Sequence, residues 1–445
     1  MSEKLTLSPP FLEPRVSRLG RGLALRPTLL SLTLILLFMV PEKYAFVVAV
    51  ALSSFVLVGT ALQLIRRCSV LDLLVIFFGV LVLGGLLRLD YSASLGVVFY
   101  SVTAFSSLSL ILSYRLFSKE DFEGLIGSVV AFAGIEAVLI YILWFLEGFP
   151  QPGDWAHVLL GNAHVSGIII AIALLYLLAT TVSRKNRRGM ALVLLYLGAL
   201  TLTATKQAML AFPLALGLLA LFLMRRNRLL ILTVCVLLCY PVIQLAAKML
   251  NPDAPKVAGY LRTFQAFQEN PQRILFGFGA GNFGSRASVA RSDSQDLAKE
   301  AGNRVPAALV GTPPVLKHYV ADLYSPEYLD HLINVVGATG TFYTPFSTWN
   351  AILAEFGVVG FVCFSAIFLS VFRRAVRLIR VHRLGASVAL TTAIATGGFC
   401  LLFAYENWLE YPKIMVVYWL FAAYTLRLGR EGVPPMHPTR TGSST

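Results

Sequence analysis

The chain has 445 residues, of which 57% are hydrophobic and only 13% charged, and its mean hydropathy is +0.73. That composition excludes a soluble enzyme built on one large core and indicates a polytopic membrane protein. The net charge of +14 does not point to nucleic acid, because the basic residues stand in short clusters between apolar runs, as the positive-inside rule requires.

Apolar runs of helical length predict spans at about 23–40, 45–65, 70–87, 94–113, 124–146, 163–182, 190–205, 207–224, 229–249, 347–371, 385–404 and 412–427. The expected fold is an all-α polytopic membrane protein of about 12 transmembrane helices, with one large extracytoplasmic loop lobe between the ninth and tenth. It divides into a basic cytoplasmic arm (1–22), helices one to nine (23–249), the lobe (250–346), helices ten to twelve (347–427) and a cytoplasmic tail (428–445). Arg66, Arg115, Lys119, the basic run 184–188, the run 225–228 and the arginines from Arg373 to Arg383 all fall on one side. By the positive-inside rule that side is the cytoplasm, and both termini share it. The basic arm leads into the first run with no small-residue cleavage site after it, so the first span is expected to stay as an anchor.

Cys68, Cys235, Cys239, Cys363 and Cys400 lie in or beside apolar runs, so neither a disulfide framework nor a thiolate metal site is expected. Spans seven and eight meet at the corner Thr203-Ala-Thr-Lys206-Gln-Ala208, which fixes Lys206 near the outer interface. A lysine there also suits plain snorkelling to the surface. Within the lobe, 257–270 reads as an amphipathic helix with Leu261, Phe264 and Phe267 on one face, ended by Pro271. Gly279 to Gly284 match G-x-G-x-x-G, but no strand precedes them and no helix follows. A turn with exposed backbone N–H groups between Arg273 and Arg286, able to cradle a phosphate as a nest, fits the context better.

Glu355 would sit about 13 Å along the tenth helix at 1.5 Å per residue, deep enough to cost several kcal/mol if charged and unpaired. It shares a face with Thr348 and Ala351. A structural ion pair with Lys206 or a capping role explains it as well as substrate binding does. Glu136 has the same claim in the fifth span, while Asp154, His157, Asn162 and His164 precede the sixth. Asp154, His164, Trp349 and His331 are candidates for lining a common cavity. No triad, metal-ligand cluster or P-loop can be assembled. What remains is a cationic outer site suited to a lipid-linked diphosphate, since arginine forks bind phosphate oxygens in pairs and neutralise the charge on a leaving pyrophosphate. Neither metal nor cofactor is needed for that task.

Three stretches together resemble the O-antigen polymerase and O-antigen ligase superfamily. The Lys206 corner is similar to that family's Ser-Arg-Gly/Ala corner, with lysine for arginine. The run from Arg262 through Phe276-Gly277-Phe-Gly279-Ala-Gly281-Asn-Phe283 resembles its arginine helix and glycine-rich turn. Ser347-Thr-Trp-Asn-Ala-Ile-Leu-Ala-Glu355-Phe-Gly357-Val-Val-Gly360 resembles its span-entry motif, with Phe346 where the ligases carry a histidine. The resemblance implies a polymerase that transfers a growing O-antigen or exopolysaccharide chain between undecaprenyl-diphosphate-linked oligosaccharides at the outer face of the membrane. It implies diphosphate contacts from Lys206 and Arg262, helped by Arg273 and Arg286, and a catalytic or orienting role for Glu355 beside Ser347. Its partners would be the lipid-linked glycan and the bilayer, with a chain-length regulator left open. A ligase acting on a lipid A core or other acceptor is the alternative within the class, and a polysaccharide transporter or flippase the alternative outside it.

Overall fold

Apolar runs must close their backbone hydrogen bonds internally wherever lipid replaces water, and the described ones do so as helices. In the computed structural model the described residues are 27–66, 68–88, 91–153, 155–184, 187–223, 255–285, 287, 347–381 and 386–431. In chain order they form α1 (Pro27–Met39), α2 (Glu42–Arg66), α3 (Val70–Leu83), α4 (Tyr91–Tyr100), α5 (Lys119–Leu146), α6 (Ala163–Arg184), α7 (Arg187–Leu202), α8 (Lys206–Leu223), α9 (Pro255–Glu269), α10 (Thr348–Val381), α11 (Ala386–Tyr405) and α12 (Pro412–Glu431). Past Tyr100, α4 continues through a π turn at Ser101–Phe105 and tightens to 3-10 geometry at Leu110–Arg115. Among the described residues, six helical stretches are long and apolar enough to cross a membrane: Tyr44–Ala61, Gly96–Arg115, Lys119–Leu146, Ala163–Ser183, Thr348–Val381 and Ala386–Tyr405. Shorter apolar helices occupy Leu30–Met39, Val70–Leu86, Gly189–Leu202 and Lys206–Leu219. The expected span at 229–249 lies outside the described residues, as do the arm 1–22 and the stretch 288–346.

The last expected span forms a helix that is enclosed by protein. From Pro412 to Leu426 every residue of α12 is buried, and the helix packs against α2, α5, α6, α10, α11 and the end of the α4 segment. It is absent from the six apolar spans. A helix ringed by protein escapes the demand for a lipid-facing surface, so it can carry Lys413, Tyr418, Trp419, Tyr424 and Thr425 inside the bundle.

Capping and cross-links sort the helix ends into two groups. At one end Ser69 and Asp72 form a capping box on α3, and Arg115 pairs with the same Asp72, with Nε 3.2 Å from Oδ1. Nearby, Phe122 stacks on Tyr424, whose hydroxyl lies 3.0 Å from Glu123, and Arg374 donates to the Gly429 carbonyl. At the other end the buried Lys413 ammonium donates to the carbonyls of Phe38 (2.9 Å) and Leu160 (3.3 Å), and Gly153 N–H donates to Leu202 O (3.1 Å). This second end also holds the 203–206 corner, the start of α10 and the 405–412 connection.

Helix α9 forms where the sequence predicts one, and Pro271 opens the 3-10 turn that follows it. The expected apolar face is divided, with Phe267 turned inward and Leu261 and Phe264 outward. Gly259, Thr263, Ala266 and Phe267 are buried, while Leu261 and Phe264 are 58% and 54% exposed, and Leu275 and Phe276 beyond them are exposed too. Small residues allow the close approach to α10, and the large apolar ones face outward, as at a bilayer interface.

Candidate functional site

Glu355 lies two turns into α10 and is fully buried. A carboxylate so placed needs several donors, and the chain supplies them from its own glycine-rich turn. Oε2 accepts the Gly281 N–H at 2.8 Å. Oε1 accepts the N–H groups of Phe283 (3.1 Å), Gly284 (3.1 Å) and Ser285 (3.0 Å), and the Ser285 hydroxyl at 2.6 Å. The turn is thus a nest, as its composition suggests, but the anion inside it is Glu355 and not a phosphate. No Rossmann context surrounds these glycines.

The approach of turn to helix depends on two glycines in left-handed backbone, Gly277 (φ 66°) and Gly357 (φ 64°). A Cβ on Gly277 would collide with the Glu355 backbone, and one on Gly357 with that of Leu275. The break at Gly357 frees two carbonyls and two N–H groups of α10, and the segment 274–279 pairs all four. Phe278 N–H donates to Ala354 O (2.9 Å) and Gly279 N–H to Glu355 O (2.7 Å), while Val358 and Val359 donate to Ile274 O (2.9 Å) and Leu275 O (3.1 Å). A third clamp comes from Glu410, which accepts the Ala287 N–H at 2.9 Å and the Asn407 amide at 2.5 Å. Residues 277–285 are buried or half-buried. Irregular backbone inside a helix bundle is tolerated only when protein encloses it, as here.

The cationic candidates stand at the same end of the bundle. Lys206 is exposed at the first position of α8, where the helix N-terminus adds positive potential. The next residue, Gln207, donates its amide to Glu406 Oε1 at 3.3 Å. The Glu406 carbonyl accepts the N–H (3.2 Å) and hydroxyl (3.1 Å) of Thr348. Beside it the buried Ser347 accepts the Asn350 N–H at 3.2 Å and bonds to the Tyr260 hydroxyl. Tyr260 belongs to α9, two residues before Arg262, whose Nη1 donates to Gln265 at 3.0 Å. Arg273 follows, half-buried in the 3-10 turn. A continuous path of bonds therefore links the Lys206 corner to the Arg262 helix. Burial pushes the Tyr260 phenol above its ordinary pKa of 10.0, with the Ser347 bond opposing the rise.

Other predicted residues are placed differently. Glu355 is enclosed by the turn rather than open to this path. His164 is half-buried at the start of α6, its N–H held by Asn162 Oδ1 at 2.8 Å. Trp349 donates its indole N–H to Cys400 O (2.8 Å) and lines an apolar cavity of about 350 Å³ between α10 and α11. Arg286, Asp154 and His331 lie outside the described residues. Glu136 is fully buried and accepts the N–H groups of Val158 (3.0 Å) and Leu159 (2.9 Å) and the Ser166 hydroxyl (2.8 Å), which fixes the loop before α6. The sequence reading passed over Tyr260, Gln207 and Glu410. The polar run Glu406-Asn-Trp-Leu-Glu410 between two apolar helices was the available signal. Among the described residues no three His, Cys, Asp or Glu side chains converge as metal ligands.

Among the described residues, fold and geometry define an all-helical membrane protein with a helix broken at Gly357, an inserted glycine-rich turn and a polar, cation-bearing end. No known family model matches the chain, and no curated protein matches it.

Proposed function

We propose that the chain is a membrane glycosyltransferase that polymerises undecaprenyl-diphosphate-linked repeat units at the outer face of the bacterial inner membrane. The carrying observation is that Lys206 and Arg262, far apart in sequence, stand at the two ends of one bonded path through Gln207, Glu406, Thr348, Ser347 and Tyr260. Two cations at a helix-bundle end, beside the outward apolar residues Leu261, Phe264, Leu275 and Phe276, suit a diphosphate whose lipid tail stays in the bilayer. In this reading about 12 spans carry the site, the lobe is periplasmic and the termini are cytoplasmic. Lys206 and Arg262, with Arg273 and Arg286, hold the diphosphate and stabilise it as a leaving group.

Glu355 takes the orienting role rather than the basic one. Four donors converge on Oε1 and one on Oε2, and the group is fully buried beneath the turn, so it is closed to a sugar hydroxyl. The broken α10 is also the one feature that favours a transporter, whose unwound helices present backbone groups to a solute. Here those four backbone groups are paired by residues 274–279, which supports a fixed scaffold instead. Replacing Lys206 or Arg262 with Ala should leave the protein inserted and abolish long surface glycan. An unchanged ladder of chain lengths on a gel rejects the diphosphate role, and a ladder that is intact but unattached to its final acceptor indicates a ligase.

A further inference from the structure

Buried side-chain atoms without any hydrogen-bond partner concentrate around the start of α10 and the 405–412 connection. Both amide atoms of Asn350, the Oε1 of Gln207 and the indole N–H of Trp408 are such atoms. Asn350 and Trp408 are 0% exposed, and Gln207 is half-buried. All three hang on one knot of bonds. The Gln207 amide nitrogen and the Trp408 backbone N–H (3.1 Å) both reach Glu406, as does Thr348, and the Asn350 backbone N–H donates to Ser347, one residue before Thr348. Leaving polar groups buried and unpaired is costly, so their accumulation in one place calls for a role that repays them.

We infer that Asn350, Gln207 and Trp408 form a subsite for the glycan, taking sugar hydroxyl or acetamido groups behind the cationic Lys206–Arg262 rim. The chemistry of the unpaired atoms selects that ligand class. On these three side chains they comprise two donors, Asn350 Nδ2 and Trp408 Nε1, and two acceptors, Asn350 Oδ1 and Gln207 Oε1, while the Glu406 carboxylate bonded to Gln207 brings a negative charge that disfavours a phosphate. A phosphate offers only acceptors and an ammonium only donors, whereas a glycan offers both on adjacent carbons. Asn350 and Trp408 are closed to solvent as the helices stand, so the sugar enters as the first turn of α10 and the 405–412 connection part. This inference rests on the glycosyltransferase reading and assigns it a substrate-contacting surface distinct from the phosphate contacts.

The test compares Asn350→Leu and Trp408→Phe with Trp419→Phe. The Trp419 indole N–H is equally buried and unpaired, but it lies in the aromatic core against Phe368 and Tyr418. Two quantities are measured on purified protein: the melting temperature, and affinity for the glycan released from its lipid, titrated without diphosphate. The expected result is that the two site variants melt at or above the wild-type temperature and bind the free glycan about tenfold or more weakly, while Trp419→Phe binds normally. Wild-type affinity in both site variants overturns the inference, as does a lowered melting temperature in both, which would give the groups a structural role. Because the released glycan is titrated directly, a wild-type protein that binds it yet elongates nothing contradicts the polymerase reading and leaves the subsite standing.

Discussion

A carboxylate buried in a membrane bundle invites a catalytic reading, yet the two such residues singled out from sequence, Glu355 and Glu136, both hold backbone N–H groups of chain entering from one end of the bundle. Sequence shows such a residue's depth but not its partners, because the donors to Glu355 lie some seventy positions upstream. For Glu355→Gln we expect the amides of residues 281–285 to lose protection in hydrogen exchange. An amide NH₂ then faces N–H donors, and stability should fall by about 2–3 kcal/mol. A base role would instead leave that exchange unchanged. Arg115→Ala strands the buried Asp72 carboxylate and should cost about 3–5 kcal/mol, read as a fall in melting temperature that Asp72→Asn partly reverses in the double variant. Tyr260 adds a pH dependence with a definite sign. Its folded-state pKa is raised, so the stability it contributes is fully present below pH 10 and is lost as pH climbs through the shifted value. Tyr260→Phe should flatten the alkaline limb of the protein's pH–stability curve and lower its neutral plateau by about 1 kcal/mol, the bond to Ser347 being lost.

At the scale of elements, position was far more legible than facing. Apolar length marks a helix wherever lipid is the solvent, so helices appear at every expected span among the described residues. Facing was not legible for α9, where Phe267 of the apolar face turns inward while Leu261 and Phe264 face outward. Nor could sequence show that α12, at its expected position, would carry its polar and aromatic residues inside the bundle. The break in α10 could be suspected from Gly357 but not seen, since its cause is a long-range exchange of hydrogen bonds with 274–279. Gly357→Ala should therefore damage α10 and the inserted turn together. We expect a loss of about 2–3 kcal/mol and shared loss of hydrogen-exchange protection at 277–279 and 358–359. Changes confined to the helix would show that the two elements are independent.

For the whole molecule, the helix ends fall into two groups. One is knit by Asp72, Arg115, Tyr424 and Arg374; the other by Lys413, Glu406, Glu410 and the Lys206–Arg262 path. The second group joins residues from α8, α9, α10 and the 405–412 connection, and it is the surface to which the proposed function assigns the substrate. The three stretches that carried the family resemblance all contribute to it, two through cations and the third through Ser347 and the Glu355 clamp. The most direct test is elongation by purified protein in detergent, supplied only with undecaprenyl-diphosphate-linked repeat units. The account predicts glycans of several repeats from the wild type, and single repeats from Lys206→Ala and Arg262→Ala proteins that melt normally. Unextended glycan from well-folded wild-type protein, or full elongation by both variants, would contradict it.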